Sequence, residues 1–324
     1  MKILIATFLL GFFTPLVIAS ALHRNIKNAL FARVVRQSED IAEESPDEPL
    51  RHRLECVQMI NLGGEYYFQS TGDDAIGDCA MYLQGQPDQL IEIEFKSFDV
   101  KCEDAGLVSV VDGWELDGQF FPSDEDRLSF DERYRLFCDN GPLKFVAHQN
   151  VAMMHWRIPV ATQGFVVNIR FFYNPKPCNV LFGGKTGKYT LTNYGHQNNC
   201  SFAVIYPVLV RITGIMIGVD KQIGVASQLQ LESRVMTQCE KRGYHDFLEI
   251  KSGGMESLDT SYMPSFWKIC GAELNPDELD FPLPCGTSAL RLVSRGRYFN
   301  SVEFQFDELP QQLMDAYGPR MCFS

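Results

Sequence analysis

From Cys56 onward, apolar and polar residues alternate. Ile91-Glu92-Ile93-Glu94-Phe95 alternates strictly, as do Phe165, Val167, Ile169 and Phe171, then Leu290 and Leu292, then Val302, Phe304 and Phe306. A period of two puts every second side chain on one face of a strand, so each run predicts a half-buried β-strand. Glycine and proline recur in the gaps, at Gly63-Gly64, Gly85, Pro87, Gly113, Gly118, Gly141-Pro142, Gly183-Gly184 and Gly253-Gly254, where turns require them. No long stretch after residue 50 keeps helical spacing, and the expected fold is all-β.

The first 49 residues read differently. Lys2 precedes an apolar run from Ile3 to Ile18, interrupted by Thr7, Gly11, Thr14 and Pro15, and then the small-x-small pattern Ala19-Ser20-Ala21. Residues 1–21 therefore read as a secretory signal peptide. The run is shorter than the roughly 20 residues of a membrane-spanning helix. Within 22–49, Ile26, Leu30 and Val34 fall four apart among Arg24, Lys27, Arg33 and Arg36, which predicts a short basic amphipathic helix. Glu39, Asp40, Glu43, Glu44, Asp47 and Glu48 follow, broken by Pro46 and Pro49, and the whole segment reads as a charged, partly disordered leader.

A repeat underlies the strand region. Cys102 is followed by Asp112-Gly113, by Cys138, by an apolar strand and by the strand that begins Gly164-Phe165. Cys239 restarts the order, with Asp246-Phe247-Leu248-Glu249-Ile250, Ser252-Gly253, Cys270-Gly271, Leu290 to Ser294 and Val302 to Phe306. Each repeat is preceded by a close cysteine pair, Cys56 and Cys79 or Cys178 and Cys200. Two homologous β domains are expected, 50–173 and 177–324, the second with a C-terminal tail reaching Cys322. The chain has 10 cysteines and no CxxC pair. Disulfides in an oxidising compartment are the default and a zinc knuckle is disfavoured, while parity leaves the pairing open.

Composition narrows the function classes. The chain has 324 residues, 45% hydrophobic and 22% charged, which is globular. With 29 Lys and Arg against 41 Asp and Glu, the net charge is -12, and no broad basic surface is available for a nucleic acid. Mean hydropathy of -0.11, without an internal run long enough to span, argues against a membrane bundle. No His begins an H-E-x-x-H run and no G-x-S-x-G elbow occurs. Gly183-Gly184-Lys185-Thr186-Gly187-Lys188 fails as a phosphate loop, because Phe182 and Tyr189 stand where Gly and Ser or Thr are needed, and it reads as a basic hairpin turn. An enzyme is not expected. Asn199-Cys200-Ser201 is a sequon, making Asn199 a candidate glycan acceptor.

The cysteine order, with Asp-Gly or Ser-Gly closing an apolar strand and Cys-Gly preceding the last strands, resembles the CUB domain. That resemblance implies two tandem CUB-like antiparallel β-sandwiches, stabilised by disulfides. It also implies the pairs Cys56–Cys79, Cys102–Cys138, Cys178–Cys200 and Cys239–Cys270, leaving Cys285 and Cys322 for each other. Some CUB domains hold Ca²⁺, but Gly106 and Ser294-Arg295 stand where acids would be needed. Asp246 then reads as a loop-capping carboxylate, and no metal and no cofactor are expected.

The pair of domains resembles a narrower family. Phe121-Pro122-Ser123, Asn150-Val151-Ala152-Met153, Pro177-Cys178-Asn179-Val180, Gly187-Lys188-Tyr189-Thr190-Leu191, Asn199-Cys200-Ser201-Phe202 and Ile205-Tyr206-Pro207-Val208 are similar to the corticotropin-releasing factor-binding proteins, over about residues 50 to 322. The resemblance implies a secreted, extracellular, non-catalytic carrier. Its partner would be a corticotropin-releasing-factor-like peptide hormone, a long amphipathic helix that the carrier withholds from its receptor. In that family a basic residue four before the first cysteine and an acid two after it are associated with peptide binding. Here these positions are His52 and Gln58, and Arg51, Arg53 and Glu55 are neighbours able to supply the charges. Arg51, His52, Arg53 and Gln58 are the candidate peptide contacts. The competing reading is a CUB-type extracellular protein-interaction or matrix protein with no peptide-hormone ligand. A third is a protease cofactor, and extra modules such as EGF repeats or a protease domain would support either of these two.

Overall fold

The computed structural model describes residues 51–72, 77–116, 118–126, 128–141, 144–218, 235–253, 258–274, 276 and 279–322. The signal segment and the charged leader lie outside the described residues. The first sandwich has one sheet in the order β1 (Arg51–Arg53), β3 (Gly64–Gln69), β12 (Gly164–Tyr173), β5 (Gln89–Asp99) and β10 (Lys144–Val146). Facing it is the order β2 (Val57–Ile60), β4 (Cys79–Gln84), β11 (Val151–Arg157), β6 (Leu107–Val111) and β9 (Tyr134–Phe137). A small hairpin, β7 (Trp114–Leu116) and β8 (Gln119–Phe121), lies outside both. Ile91, Ile93, Phe95, Phe165, Val167 and Ile169 from the first sheet meet Met81, Leu83, Val108, Val110, Met154 and Trp156 from the second in one core.

The second sandwich repeats this arrangement. One sheet runs β13 (Val180–Phe182), β15 (Cys200–Val204), β21 (Thr287–Val293), β18 (Phe247–Gly253) and β19 (Ser265–Leu274), with β17 (Met236–Thr237) paired to β19. The other holds β14 (Gly187–Thr192), β22 (Ser301–Glu308), β16 (Val208–Ile217) and β20 (Asp280–Leu283). The two sheets are continuous through β19, which pairs with β18 up to Ile269 and with β16 from Gly271 on. Gly271 has φ of 100° at this passage, a conformation that side-chain-bearing residues rarely adopt. Five disulfides close, Cys56–Cys79, Cys102–Cys138, Cys178–Cys200, Cys239–Cys270 and Cys285–Cys322.

Three features differ from the sequence expectation. The edge pairs β1–β3, β2–β4 and β13–β15 are parallel, not antiparallel. In the first sandwich the reason is that β1 to β4 alternate between the two sheets, so each pair is joined by a crossover. The glycine-rich 183–186 segment is no hairpin turn, because β13 pairs with β15 and β14 with β22, and it carries the chain between sheets. A helix also occurs, α1 (Gln311–Met321), which the Cys285–Cys322 bridge ties to the turn after β20. Its Pro319 and Gly318 hid it in the sequence.

The sandwiches stack on each other. The outer face of the β2–β9 sheet contributes Tyr82, Val111, Val151 and Met153, and the hairpin adds Trp114 and Phe121. Leu181, Ala203, Ile205, Leu258, Met263 and Ala289 of the second sandwich complete one shared cluster. Each large side chain buried this way contributes about 1.5–3 kcal/mol. Strands β4, β15 and β18 are therefore covered on both faces.

Candidate functional site

Charge is buried at this interface. On the outer face of the β13–β19 sheet, Ser201, Arg291, Glu249 and Lys268 stand side by side across four strands. Asp126, from the loop after β8, descends onto the row with a fully buried side chain. Its carboxylate accepts hydrogen bonds from Arg291 Nε at 2.6 Å, Ser201 Oγ at 2.5 Å and Thr260 Oγ1 at 3.0 Å. Arg291 also donates to Glu249 at 3.0 Å and to Glu125 at 2.9 Å. Burial opposes the arginine's charge, but Asp126 and Glu249 outweigh it and hold its pKa above the ordinary value. Burial pushes Lys251 down, with Glu249 pulling back. Further bonds lock the domains: Asn150 exchanges two with the backbone of Leu181, and Gln119 Oε1 accepts from the backbone N–H groups of Leu258 and Asp259.

Where the second sandwich ends, part of this outer face is left open. Register places Met59, Tyr82, Met153, Val111 and Tyr134 in one row across five strands, and Val57, Ala80, His155, Ser109 and Leu136 in the next. The first row is closed in its middle by Trp114, whose ring meets Tyr82 edge-on at 5.5 Å and whose Nε1 donates to Leu83 O and Ala152 O. The second row is half covered. Ala80 and Ser109 are small and buried, Val57 and His155 are half-buried, and Leu136 is 54% exposed. Beside it runs an aromatic ladder, with Phe120 to Phe130 at 4.0 Å and Phe130 to Tyr134 at 5.4 Å, next to exposed Leu128. Burial pushes the Tyr82 phenol up to about 12, Glu115 adding to it, and burial lowers the His155 imidazole. The result is an interrupted channel on one sheet face, open at Val57, His155 and Leu136 and closed over β4 at Ala80, which packs into the cluster shared with the second sandwich.

The four candidate peptide contacts lie on the edge where this channel ends, but they do not share a face. Arg51 and Arg53 pair with Glu65 and Tyr67 and project from the outer face of the opposite sheet, Arg51 in an ion pair with Glu65. His52 turns its ring toward Tyr66, at 5.2 Å. Gln58 stands in register with the core residue Met81 and accepts a hydrogen bond from the backbone of Glu55. The half-covered row itself escaped sequence reasoning, because only register across β2, β4, β11, β6 and β9 assembles it.

The loop carboxylates are engaged by the protein. Asp246 accepts from Arg295 N at 3.0 Å, Ser294 Oγ at 3.2 Å and Asn300 Nδ2 at 2.7 Å, so it caps the 294–300 loop. Asp112 accepts from His148 N at 2.8 Å and from the Gln149 amide, with His148 Nδ1 at 2.7 Å. Cys102, Cys138 and Asp139 cluster, but both sulfurs are joined in a disulfide and Asp139 accepts from Cys102 N. Among the described residues, no helix is long and apolar enough to cross a membrane.

Residues 48–172 match the model of the corticotropin-releasing factor binding protein N-terminal domain, and residues 180–315 match that of its C-terminal domain. The corticotropin-releasing factor-binding protein of Mus musculus is 34% identical over 293 residues, 88% of this chain and 85% of that protein. That of Homo sapiens is 32% identical over 280 residues, 85% and 82%. Among solved structures, the CUB1-EGF-CUB2 domains of rat MASP-1 overlap 79% of this chain and 100% of that one, at 13% identity and a TM-score of 0.25. With both halves matched in order and relatives at a third identity over most of their length, this chain belongs to the corticotropin-releasing factor-binding protein family.

Proposed function

We propose that this chain is a secreted, non-catalytic carrier that captures a corticotropin-releasing-factor-like peptide and keeps it from its receptor. The observation that carries the reading is membership of a family whose relatives are named for binding that factor. The half-covered channel supplies a physical means. Its open stretch from β11 to β9, two strand spacings of about 4.8 Å, is roughly 10 Å long. A helix rising 1.5 Å per residue would cover that length with about seven residues, two turns of one apolar face. Val57, His155, Leu136 and the Phe120–Phe130–Tyr134 ladder are the proposed contacts, and Arg51, His52, Arg53 and Gln58 act at the channel's end. Because Arg51 and Arg53 project from the opposite sheet, their role is the smaller one.

The apolar run from Ile3 to Ile18 and the five disulfides support secretion. Asn199 is the proposed glycan site. Its Nδ2 donates to Glu125 O at 3.0 Å across the domain junction, and a glycosylated amide keeps one N–H for that bond.

Isothermal titration with corticotropin-releasing factor tests the proposal. The expected result is stoichiometric binding of intact peptide with a negative heat-capacity change. Leu136→Asp, which puts a charge at the exposed end of the channel, should weaken binding by at least about ten-fold, and R51E/R53E should change it by less than about three-fold. No heat with any peptide of this class would refute the carrier reading. The reverse order of the two variants would move the site to the edge.

A further inference from the structure

At the loop end of the second sandwich lies a cavity of about 360 Å³, away from the apolar channel's strands. Its wall carries Arg242, His245, Arg295 and Arg297, with Tyr244 and Tyr298. In a chain of net charge -12, three guanidinium groups on one small cavity are a local inversion of the overall field. The one acid in the wall, Asp246, does not neutralise them. It is buried and accepts its bonds from the Arg295 backbone, Ser294 and Asn300. Among the described residues, no carboxylate pairs with Arg242, Arg295 or Arg297. Arg242 touches Met236 Sδ at 3.8 Å, and the Arg297 guanidinium lies 5.3 Å from the centre of the Tyr298 ring.

We infer that this cavity is a binding site for a sulfated sugar of a glycan chain. Charge selects an anion, and geometry selects its kind. The guanidiniums come from two separate loops, Arg242 before β18 and Arg295 and Arg297 after β21. A carboxylate has two oxygens and satisfies one planar fork, whereas a sulfate ester has three terminal oxygens and can serve several forks together. The volume falls at the lower end of the range of small-ligand pockets, far larger than a carboxylate needs. Tyr244 and Tyr298, both half-buried, line the same cavity, and a tyrosine ring is a surface against which a sugar ring can pack. Because the protein is acidic overall, a long polyanion gains nothing by spreading beyond this cavity. Recognition is therefore local, and a short oligosaccharide is enough.

The test is independent of the peptide. The secreted protein is titrated with a heparin-derived tetrasaccharide, with the same tetrasaccharide desulfated but keeping its carboxylates, and with a polyglutamate peptide. The sulfated sugar should bind, and the desulfated sugar and the polyglutamate should bind at least about ten-fold more weakly. The logarithm of affinity should fall against the logarithm of salt with a shallow slope of about -2, set by a few ion contacts. R242A/R295A/R297A should lose at least about ten-fold in affinity for the tetrasaccharide, with an unchanged melting temperature because all three side chains are exposed. R295K/R297K, which keeps the charge and removes the forks, should lose an intermediate amount. Absence of tetrasaccharide binding to the wild-type protein overturns the inference, as does undiminished binding to the triple alanine variant. Equal binding of polyglutamate would make the cavity a general acidic-peptide site and would also overturn it.

Discussion

Asp126→Ala should both destabilise the protein and uncouple its halves. The Asp126 side chain has 0% exposure and accepts three hydrogen bonds, all from the second sandwich, from Arg291, Ser201 and Thr260. Removing it leaves Arg291, 8% exposed, with Glu249 and the solvent-exposed Glu125. Deleting one partner of a buried ion pair costs about 3–5 kcal/mol, and the two remaining acids argue for the lower end, about 3 kcal/mol. For a chain of this size each kcal/mol shifts the melting temperature by roughly 2–4 °C, so a fall of roughly 6–12 °C is expected. Wild type is expected to unfold in one transition because the sandwiches share a buried cluster, and scanning calorimetry should show this transition broaden or split in the variant, since the lost contacts are those between sandwiches. D126L/R291M, which replaces the pair by apolar groups, should recover part of the loss. A shift below about 1 °C with one sharp transition would refute the reasoning, because the stacked arrangement would then not depend on this charge.

Two further outcomes follow from single sites. Burial holds the His155 imidazole below its ordinary value of 6.5, so below that pH the unfolded chain binds more protons than the folded one. Stability is then full above about pH 6.5 and falls as the pH drops toward the folded value. Denaturation at pH 7.5 and pH 5.5 measures the loss, which His155→Gln should reduce; an unchanged slope in that variant would contradict the assignment. The 37-residue separation of Cys285 and Cys322 is the longest of the five loops. Replacing both with serine should cost about 3–4 kcal/mol by releasing chain entropy, and faster amide exchange confined to α1 is the expected signature. Unchanged exchange there would show that packing alone holds the helix.

Legibility in the sequence followed exposure. Strands β12 and β22 each have one wet face, so Val167 and Ile169, or Val302, Phe304 and Phe306, alternate visibly with polar residues; in β5 Glu92 is buried in ion pairs with Lys144 and Arg170, yet its charge still marks the alternation with Ile91 and Ile93. The inner strands do not advertise themselves this way. In β4 and β15 the second face is covered by the other sandwich, and Cys-Ala-Met-Tyr-Leu or Cys-Ser-Phe-Ala-Val reads as a continuous apolar run. Glu249 and Lys251 alternate with Leu248 and Ile250 as though they faced water, yet they are buried against the partner sandwich. The acid that compensates the row, Asp126, lies 165 residues before Arg291, beyond any local pattern. The candidate site was legible only at its margin. Arg51, His52, Arg53 and Gln58 mark the edge where the channel ends, while the channel floor is assembled from five strands whose register no local spacing encodes.

The most direct measurement is amide hydrogen exchange of the whole protein with and without saturating corticotropin-releasing factor. The expected result is intact peptide throughout and exchange slowed by at least about ten-fold in β2 and β9, at the two ends of the channel, with little change in β14 and β22 on the far side of the second sandwich. Absence of protection anywhere, or protection confined to β14 and β22, would contradict it.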